Sequence, residues 1–167
     1  MKRLAGLAAL AALFAAAVAA EAGEPSGCDK LAWPLAYEQA ALARSASPLA
    51  PGAALAYDTA ETVRLAPFAE AKLDRPPERA PRNSRSFAGA LALGAPPAAG
   101  NYKISLSGEG WIDVIQGGAF VKPLGFTGAP GCPNLRKSVK FPLAAAPLTL
   151  QLSDVKNPEI AVIVSPE

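Results

Sequence analysis

The side chains of this chain that could carry acid–base chemistry are carboxylates, because its 167 residues include no histidine. The missing histidine excludes Ser-His-Asp and Cys-His catalysis, together with the histidine-rich zinc and copper sites and the two-histidine iron site. Two cysteines are too few for a four-cysteine zinc or iron–sulfur site. The sequence also has no nucleophile elbow, phosphate loop, dinucleotide fingerprint or calcium loop. We therefore expect no metal, no cofactor and no catalytic set of these kinds.

Glu109 and Asp113 are a candidate pair of catalytic carboxylates because of their spacing. Paired carboxylates are what glycoside hydrolases use. Both lie around Trp111 in a predicted strand, where residues four apart share a face but are separated by about 13 Å. That separation exceeds the one used by inverting glycosidases, and only a bend at Gly110 would shorten it. We expect two surface carboxylates, with a carboxylate-dependent glycan hydrolase as the alternative.

Trp111 and Asp113 also form a candidate binding pair. Strand alternation puts both on one face and puts Ile112 and Val114 on the other. If Ile112 and Val114 enter the core, the strand presents an aromatic ring beside a carboxylate, which suits stacking on a sugar and hydrogen bonding to its hydroxyls. In the alternative, Trp111 packs in the core and Asp113 is paired at an edge or a turn.

Basic residues are concentrated in two other places. Arg136, Lys137 and Lys140 follow Cys132 and predict an anion or partner patch, or alternatively a solvated strand face. Residues 72–86 combine three prolines with mixed charge, which favours an extended and solvated path. This segment is a candidate basic contact loop, but an exposed connection is the simpler interpretation.

The elements that position these residues are predicted to be short strands. After residue 86, apolar and polar residues alternate in successive runs that are separated by Pro- and Gly-containing turns. Gly117-Gly118 joins two of the runs and indicates a two-residue hairpin. The last run is apolar on both faces, as expected of a central strand. The predicted strands cover residues 87–93, 102–107, 111–116, 119–121, 138–141, 148–153 and 160–164.

The region before residue 72 has a weaker pattern. Residues 29–46 predict one short helix, with Pro34 in its first turn and an apolar face formed by Tyr37, Ala40, Ala41 and Leu42. Two short apolar stretches, 53–58 and 61–65, follow as candidate strands. Strands joined by Pro/Gly turns predict a mainly β fold, an antiparallel β-sandwich of jelly-roll type with one N-terminal helix.

The first twenty residues have the pattern of a cleavable signal peptide. Lys2 and Arg3 precede an uncharged run rich in Ala and Leu, and small residues follow at its end. The run is shorter and less apolar than a retained membrane anchor requires. Lipidation of Cys28 is a second alternative, but a lipobox places a Leu-like residue where this chain has Pro25. We expect residues 1–20 to be removed, no membrane span to remain, and residues 21–167 to form one periplasmic or secreted domain.

Export changes how charge and cysteines are interpreted. Loss of Lys2 and Arg3 lowers the 16 basic residues to 14, against 14 acidic ones, so the mature chain is neutral. A neutral chain has no overall field to attract nucleic acid, and we expect no nucleic-acid partner. In an oxidising compartment, the two cysteines favour a disulfide between Cys28 and Cys132 over two buried thiols.

The sequence also resembles two groups of proteins. Residues 100–107 and 110–118 are similar in strand–hairpin rhythm to jelly-roll carbohydrate-binding modules. The segments around Cys28 to Glu38, Trp111 to Val114 and Cys132 to Val139 resemble short exported bacterial proteins of unknown function, some of which are named homogentisate 1,2-dioxygenase. Proteins of the dioxygenase family are far longer and bind iron through histidines. This chain has no histidine, so we do not expect that activity.

Taken together, these features predict an exported, non-catalytic binding or accessory protein of the cell envelope. A glycan or an envelope protein is the expected partner. Trp111, Asp113, Arg136 and Lys137 are the expected binding residues. The alternatives are the carboxylate-dependent glycan hydrolase and a structural subunit of an envelope complex.

Overall fold

Strands dominate the computed structural model, which describes residues 24–45, 48–49 and 53–167. The predicted signal peptide, residues 1–20, lies outside the described residues. One α-helix, α1, covers Ala36–Leu42, and single 3-10 turns cover Cys28–Lys30 and Phe68–Glu70. The strands are β1 (Glu61–Arg64), β2 (Ala66–Pro67), β3 (Phe87–Leu93), β4 (Gly100–Leu106), β5 (Trp111–Gln116), β6 (Ala119–Phe120), β7 (Gly125–Gly128), β8 (Lys137–Leu143), β9 (Leu148–Val155) and β10 (Glu159–Pro166).

The strands form two antiparallel sheets of five strands each. The first sheet has the order β1-β10-β4-β8-β7, and the second has the order β2-β3-β9-β5-β6. Strands pair in nested fashion along the chain: β1 with β10, β3 with β9, β4 with β8 and β5 with β6. Nested pairing of this kind is what results when one long hairpin is rolled into two sheets, which is the jelly-roll arrangement. The predicted fold class is confirmed.

The main core lies between the two sheets and is built by strand alternation. Ile104 and Leu106 of β4 are fully buried against Leu150 and Leu152 of β9, and Val114 of β5 is fully buried in the same cluster. Polar residues alternate with these on the outer faces, because neighbouring side chains of a strand point to opposite sides. The predicted inward residues of the strands after residue 86 are therefore in the core.

The strand β10 is buried on both faces, as its sequence predicted. Val162 and Val164 point into the inter-sheet core, while Ala161 and Ile163 belong to a second apolar cluster on the outer face of the first sheet. Helix α1 covers that outer face and contributes Leu42 to the cluster. A sheet face covered by a helix excludes water from both sides of its central strand, which explains the continuous apolar run.

The predicted helix over residues 29–46 is wrong in its length. The α-helix runs only from Ala36 to Leu42, and Pro34 lies before it rather than in its first turn. Ala41 and Leu42 are buried as predicted, but Tyr37 is 53% exposed and Ala40 is also exposed. Glu38 of this helix is also buried, and its side chain is only 1% exposed.

Buried Glu38 is paired with charge and hydrogen bonds from the first sheet. Lys103 Nζ lies 2.6 Å from Glu38 Oε1, and Ser165 Oγ donates a hydrogen bond to the same oxygen at 2.7 Å. Burial raises the pKa of Glu38, but the bonds from Lys103 and Ser165 outweigh it and hold the pKa below its usual value of 4.5. The pair ties helix α1 to β4 and β10.

The remaining strand predictions have mixed outcomes. Gly117 and Gly118 form the predicted hairpin turn, with φ angles of 60° and 77° that residues with a side chain rarely adopt. The stretch 53–58 is not a strand; Leu55 and Tyr57 make only isolated bridges. The two-residue β2 and the edge strand β7 were not predicted, because neither has enough residues to show an alternating pattern.

The predicted disulfide is confirmed. Cys28 and Cys132 are bonded, with their Cα atoms 4.6 Å apart across a sequence separation of 104 residues. The bridge fastens the N-terminal segment next to α1 to the loop that precedes β8. None of the helices in the described part of the chain combines the length and apolar character needed to cross a membrane.

Loss of this disulfide is expected to destabilise the protein strongly. The variant Cys28→Ser/Cys132→Ser should have a free energy of unfolding lower by about 4–5 kcal/mol, because opening so long a loop restores entropy to the unfolded chain. Urea denaturation measures the difference. Dithiothreitol should destabilise the wild-type protein and leave the double variant unchanged, and equal stability of the two proteins would contradict the prediction.

The buried carboxylate predicts a specific response to acid. A pKa of Glu38 below 4.5 in the folded state means that its stabilising effect is present above pH 4.5 and is lost as the pH falls through the folded-state pKa. The variant Glu38→Gln should therefore lose stability less steeply on acidification than the wild type, as measured by urea denaturation across pH. The control Glu70→Gln changes an exposed carboxylate and should keep the wild-type slope.

Candidate functional site

Residues 72–86 cross the outer face of the second sheet, and we call this segment the strap. It contains no helix or strand, as predicted, but its backbone and side chains are fastened to the sheet. Gln151 Nε2 donates to the carbonyl oxygen of Arg75 at 3.1 Å, and Arg75 Nη1 donates to the carbonyl of Gly118 at 2.8 Å. Arg82 donates to Asp154 through both its backbone N–H and its Nε. The strap is therefore a docked segment rather than a free connection.

Trp111 and Asp113 lie on the outer face of β5, beneath the strap. Ile112 and Val114 enter the core, so the face predicted for Trp111 and Asp113 is correct. Asp113 is only 2% exposed, because the strap covers it. Its carboxylate accepts a hydrogen bond from Trp111 Nε1 at 2.7 Å and another from the backbone N–H of Glu78 at 3.3 Å. Both oxygens of Asp113 thus serve to hold the ring and the strap.

The layer between the strap and the sheet is polar and incompletely paired. Gln151 and Ser153 of β9 are fully buried there, and in the part of the chain that is described Gln151 Oε1 and Ser153 Oγ have no hydrogen-bond partner. Burial raises the pKa of Asp113 above its usual value, although the bonds from Trp111 and Glu78 oppose that shift. The hydrogen bonds of Asp113 and Gln151 therefore fasten the strap to a polar layer of the second sheet.

A cleft of about 360 Å³ opens between the β7–β8 edge of the first sheet and β5 of the second. Ile112 and Val139 form its floor; both belong to the inter-sheet core. Trp111 and Phe126 line its sides, and the strap supplies part of its rim. A volume of this size falls in the range of small-molecule sites.

Six charged side chains line this cleft, and cations outnumber carboxylates four to two. Much of the charge is paired internally. Arg136 Nη2 lies 2.8 Å from Glu109 Oε1 and 2.9 Å from Glu24 Oε2. Arg82 is paired with Asp154, which lies outside the cleft. The cations of the cleft are Arg79, Arg82, Arg136 and Lys137, and the carboxylates are Glu24 and Glu109.

Arg79 and Lys137 are the cations without such pairing. The guanidinium of Arg79 lies 5.4 Å from the centre of the Trp111 ring, and Lys137 Nζ lies 5.1 Å from it. Lys137 Nζ donates to the carbonyl oxygen of Gly110 at 2.9 Å, and no described carboxylate lies within 4.0 Å of either cation. Burial lowers the pKa of Lys137, and three neighbouring guanidinium groups lower it further, while the negative charge of Asp113 opposes them. An anion placed here would relieve that repulsion.

Glu109 and Asp113 do not face one cavity. Glu109 lines the cleft and is paired with Arg136 and Lys156, whereas Asp113 is buried under the strap and is absent from the cleft lining. The bond from Lys156 is the strongest influence on Glu109, and its pKa lies below the usual value. One carboxylate is therefore committed to ion pairs and the other to structural hydrogen bonds.

The basic cluster predicted after Cys132 divides between two places. Arg136 and Lys137 line the cleft, but Lys140 lies on the outer face of the first sheet, 4.3 Å from the centre of the Trp33 ring. Arg79 belongs to the segment predicted as a candidate basic contact loop, but nothing in the sequence connected it with this cleft, and Phe126 was not predicted as a cleft residue. Strand alternation could have placed Lys137 and Val139 on one face of β8, but no local pattern connects the strap with that strand.

Fold and site together define the protein as a jelly-roll β-sandwich with a cationic cleft between its sheets. Comparison with protein-family models, curated proteins and solved structures finds no match. Function is therefore inferred from the contacts and charges of the cleft.

The anchoring role of Asp113 predicts how the strap responds to protease. The variant Asp113→Ala should increase tryptic cleavage after Arg79, Arg82 and Arg85 roughly tenfold, because hydrogen bonds to a charged acceptor contribute about 1.5–3 kcal/mol to closing the strap. Mass spectrometry of limited digests measures the cleavage rates. The control Glu70→Ala alters an exposed carboxylate just before the strap and should digest like the wild type. Unchanged cleavage in Asp113→Ala would contradict the anchoring role.

Proposed function

We propose that this protein is an exported, non-catalytic binding protein of the cell envelope that takes an anionic ligand into the inter-sheet cleft. The observation that carries the proposal is the pair of cations, Arg79 and Lys137, that converge on Trp111 without a carboxylate partner among the described residues. The disulfide supports export, since such bonds are typical of chains that fold in oxidising compartments.

An anion suits this cleft because the repulsion among its cations is not fully balanced by the protein. Lys137 is half-buried near three guanidinium groups, which carries an electrostatic cost, and burial and this repulsion both lower its pKa. A bound anion would accept hydrogen bonds from Lys137 and Arg79 and would lower that cost. Charge-assisted hydrogen bonds are about twice as strong as neutral ones, so binding here favours a negatively charged group.

A binding role is better supported than hydrolysis. General acid–base cleavage of a glycosidic bond needs two carboxyl groups that flank one substrate. Asp113 is covered by the strap and holds Trp111, while Glu109 is neutralised by Arg136 and Lys156. The carboxylate-dependent hydrolase therefore has less support than a binding protein.

A structural subunit of an envelope complex is a second candidate. Phe126 and Leu124 are 75% and 57% exposed, and they lie on or next to the edge strand β7. Exposed apolar side chains at a sheet edge favour contact with a partner. Recovery of one stoichiometric envelope protein with the wild type, and its loss with Leu124→Ser, would favour this candidate.

The anion proposal is tested with matched charged and neutral probes. Benzoate and glucuronate should bind at least tenfold more tightly than benzamide and glucose, as measured by isothermal titration calorimetry. The variant Lys137→Met should weaken binding of both anions roughly tenfold, since it removes a charge-assisted hydrogen bond. Lys137→Arg, which retains the charge, should bind more tightly than Lys137→Met.

The variant Lys122→Gln is the control for this test, because it removes an exposed lysine outside the cleft. It should bind both anions with wild-type affinity. Equal binding of the charged and neutral probes, or equal losses in Lys137→Met and Lys122→Gln, would contradict the proposal.

A further inference from the structure

The cleft changes from charged to apolar along a single strand. Lys137 and Val139 occupy alternate positions of β8, so both point toward the space between the sheets. On the neighbouring strand, Gly128 pairs with Lys137 and Phe126 pairs with Val139. Because Lys137 and Val139 are two residues apart, the charged end of the cleft lies roughly 7 Å from its apolar end.

The floor of the cleft cannot satisfy polar groups. Ile112 and Val139 are each 5% exposed and offer only hydrocarbon to an occupant. A sugar ring seated on this floor would lose hydrogen bonds to water and gain none from these side chains, which carries a desolvation cost. An alkyl chain or another apolar body loses nothing of this kind and gains from leaving water.

The lining of the cleft also includes an exposed apolar ring. Phe126 lines the cleft and is 75% exposed, the largest exposed fraction among the large apolar residues described. An exposed phenyl ring that borders a core-lined cleft adds to an apolar surface suited to a ligand. The Trp111 ring, in contrast, already faces Arg79 and Lys137, so it is less free to stack on a sugar.

Gly128 allows a close approach between β7 and the start of β8. A side-chain carbon at this position would lie 2.7 Å from the carbonyl oxygen of Arg136, closer than such atoms approach. Glycine therefore allows β7 to lie against the residue that precedes Lys137.

We propose that the ligand is a single-headed anionic amphiphile, whose carboxylate lies between Lys137 and Arg79 and whose alkyl chain lies on Ile112, Val139 and Phe126. This inference rests on the proposed anion-binding function and specifies its ligand class. Head and tail are recognised by different residues, so their contributions can be measured separately.

The experiment compares ligands that keep or lack each part. Decanoate has both head and tail, decanol lacks the charge, decyltrimethylammonium reverses it, and glucuronate lacks the tail. Calorimetry with wild-type protein, at concentrations below micelle formation, should give decanoate an affinity at least tenfold higher than that of the other three. Hexanoate should bind more weakly than decanoate, because it buries less apolar surface.

Variants assign the two ends of the ligand. Lys137→Met should weaken decanoate binding roughly tenfold and leave decanol unchanged, since only the head contacts the lysine. Phe126→Ser should weaken decanoate binding severalfold and leave glucuronate unchanged, because it removes apolar contact from the tail. Its control, Leu124→Ser, changes an exposed apolar residue outside the cleft lining and should have no effect.

The outcomes separate this inference from the proposed function. Glucuronate that binds through Lys137 at least as well as decanoate would overturn the amphiphile and leave the anion-binding function in place. Equal affinity for decanoate, decanol and decyltrimethylammonium would overturn both, because charge would then play no part. Failure of every anion to bind would also overturn both.

Discussion

The registers of β5 and β8 with their neighbouring strands decide which of their side chains face the core and which form the cleft. Ile112 and Val139 face inward from the two strands and join the inter-sheet core. Because side chains alternate across a strand, a slip of one residue would exchange the faces and bring Asp113 into the core. The correct register leaves Asp113 on the outer face of the second sheet, where it anchors the strap.

The strap adds Arg79 to the cleft, and no described carboxylate pairs with this cation. Asp113 and Asp154 hold its backbone at Glu78 and Arg82, and this attachment brings Arg79 to the Trp111 ring. Lys137 approaches the same ring from the other sheet. The two cations repel each other across a partly desolvated space, and the hydrocarbon floor lies directly beside them. The strap and the two sheets are thus needed together for the site.

Much of the fold could be predicted from particular residues. Alternation in the strands around Ile104, Val114 and Leu150 identified the core positions, and Gly117-Gly118 identified a hairpin. Helix α1 was predicted too long, because residues 28–30 form a separate 3-10 turn and residues 31–35 are not helical; the burial of Glu38 through its pairing with Lys103 was also not predicted. A buried ion pair has no local signature, since its partner lies on a distant strand. The strap was expected to be extended and solvated, and most of its residues are exposed, but its prolines and charges do not predict the contacts that fasten it to the second sheet.

Side-chain polarity with a period of two predicts the β-sandwich and the outward face of Trp111 and Asp113, and the two cysteines of an exported chain predict the disulfide between Cys28 and Cys132. Tertiary contacts were needed to show that Asp113 is covered and that Arg79 and Lys137 both lie against the Trp111 ring. These outcomes depend on where an irregular segment docks and how two sheet edges meet. Both are set by contacts between residues far apart in the chain, which no local pattern records.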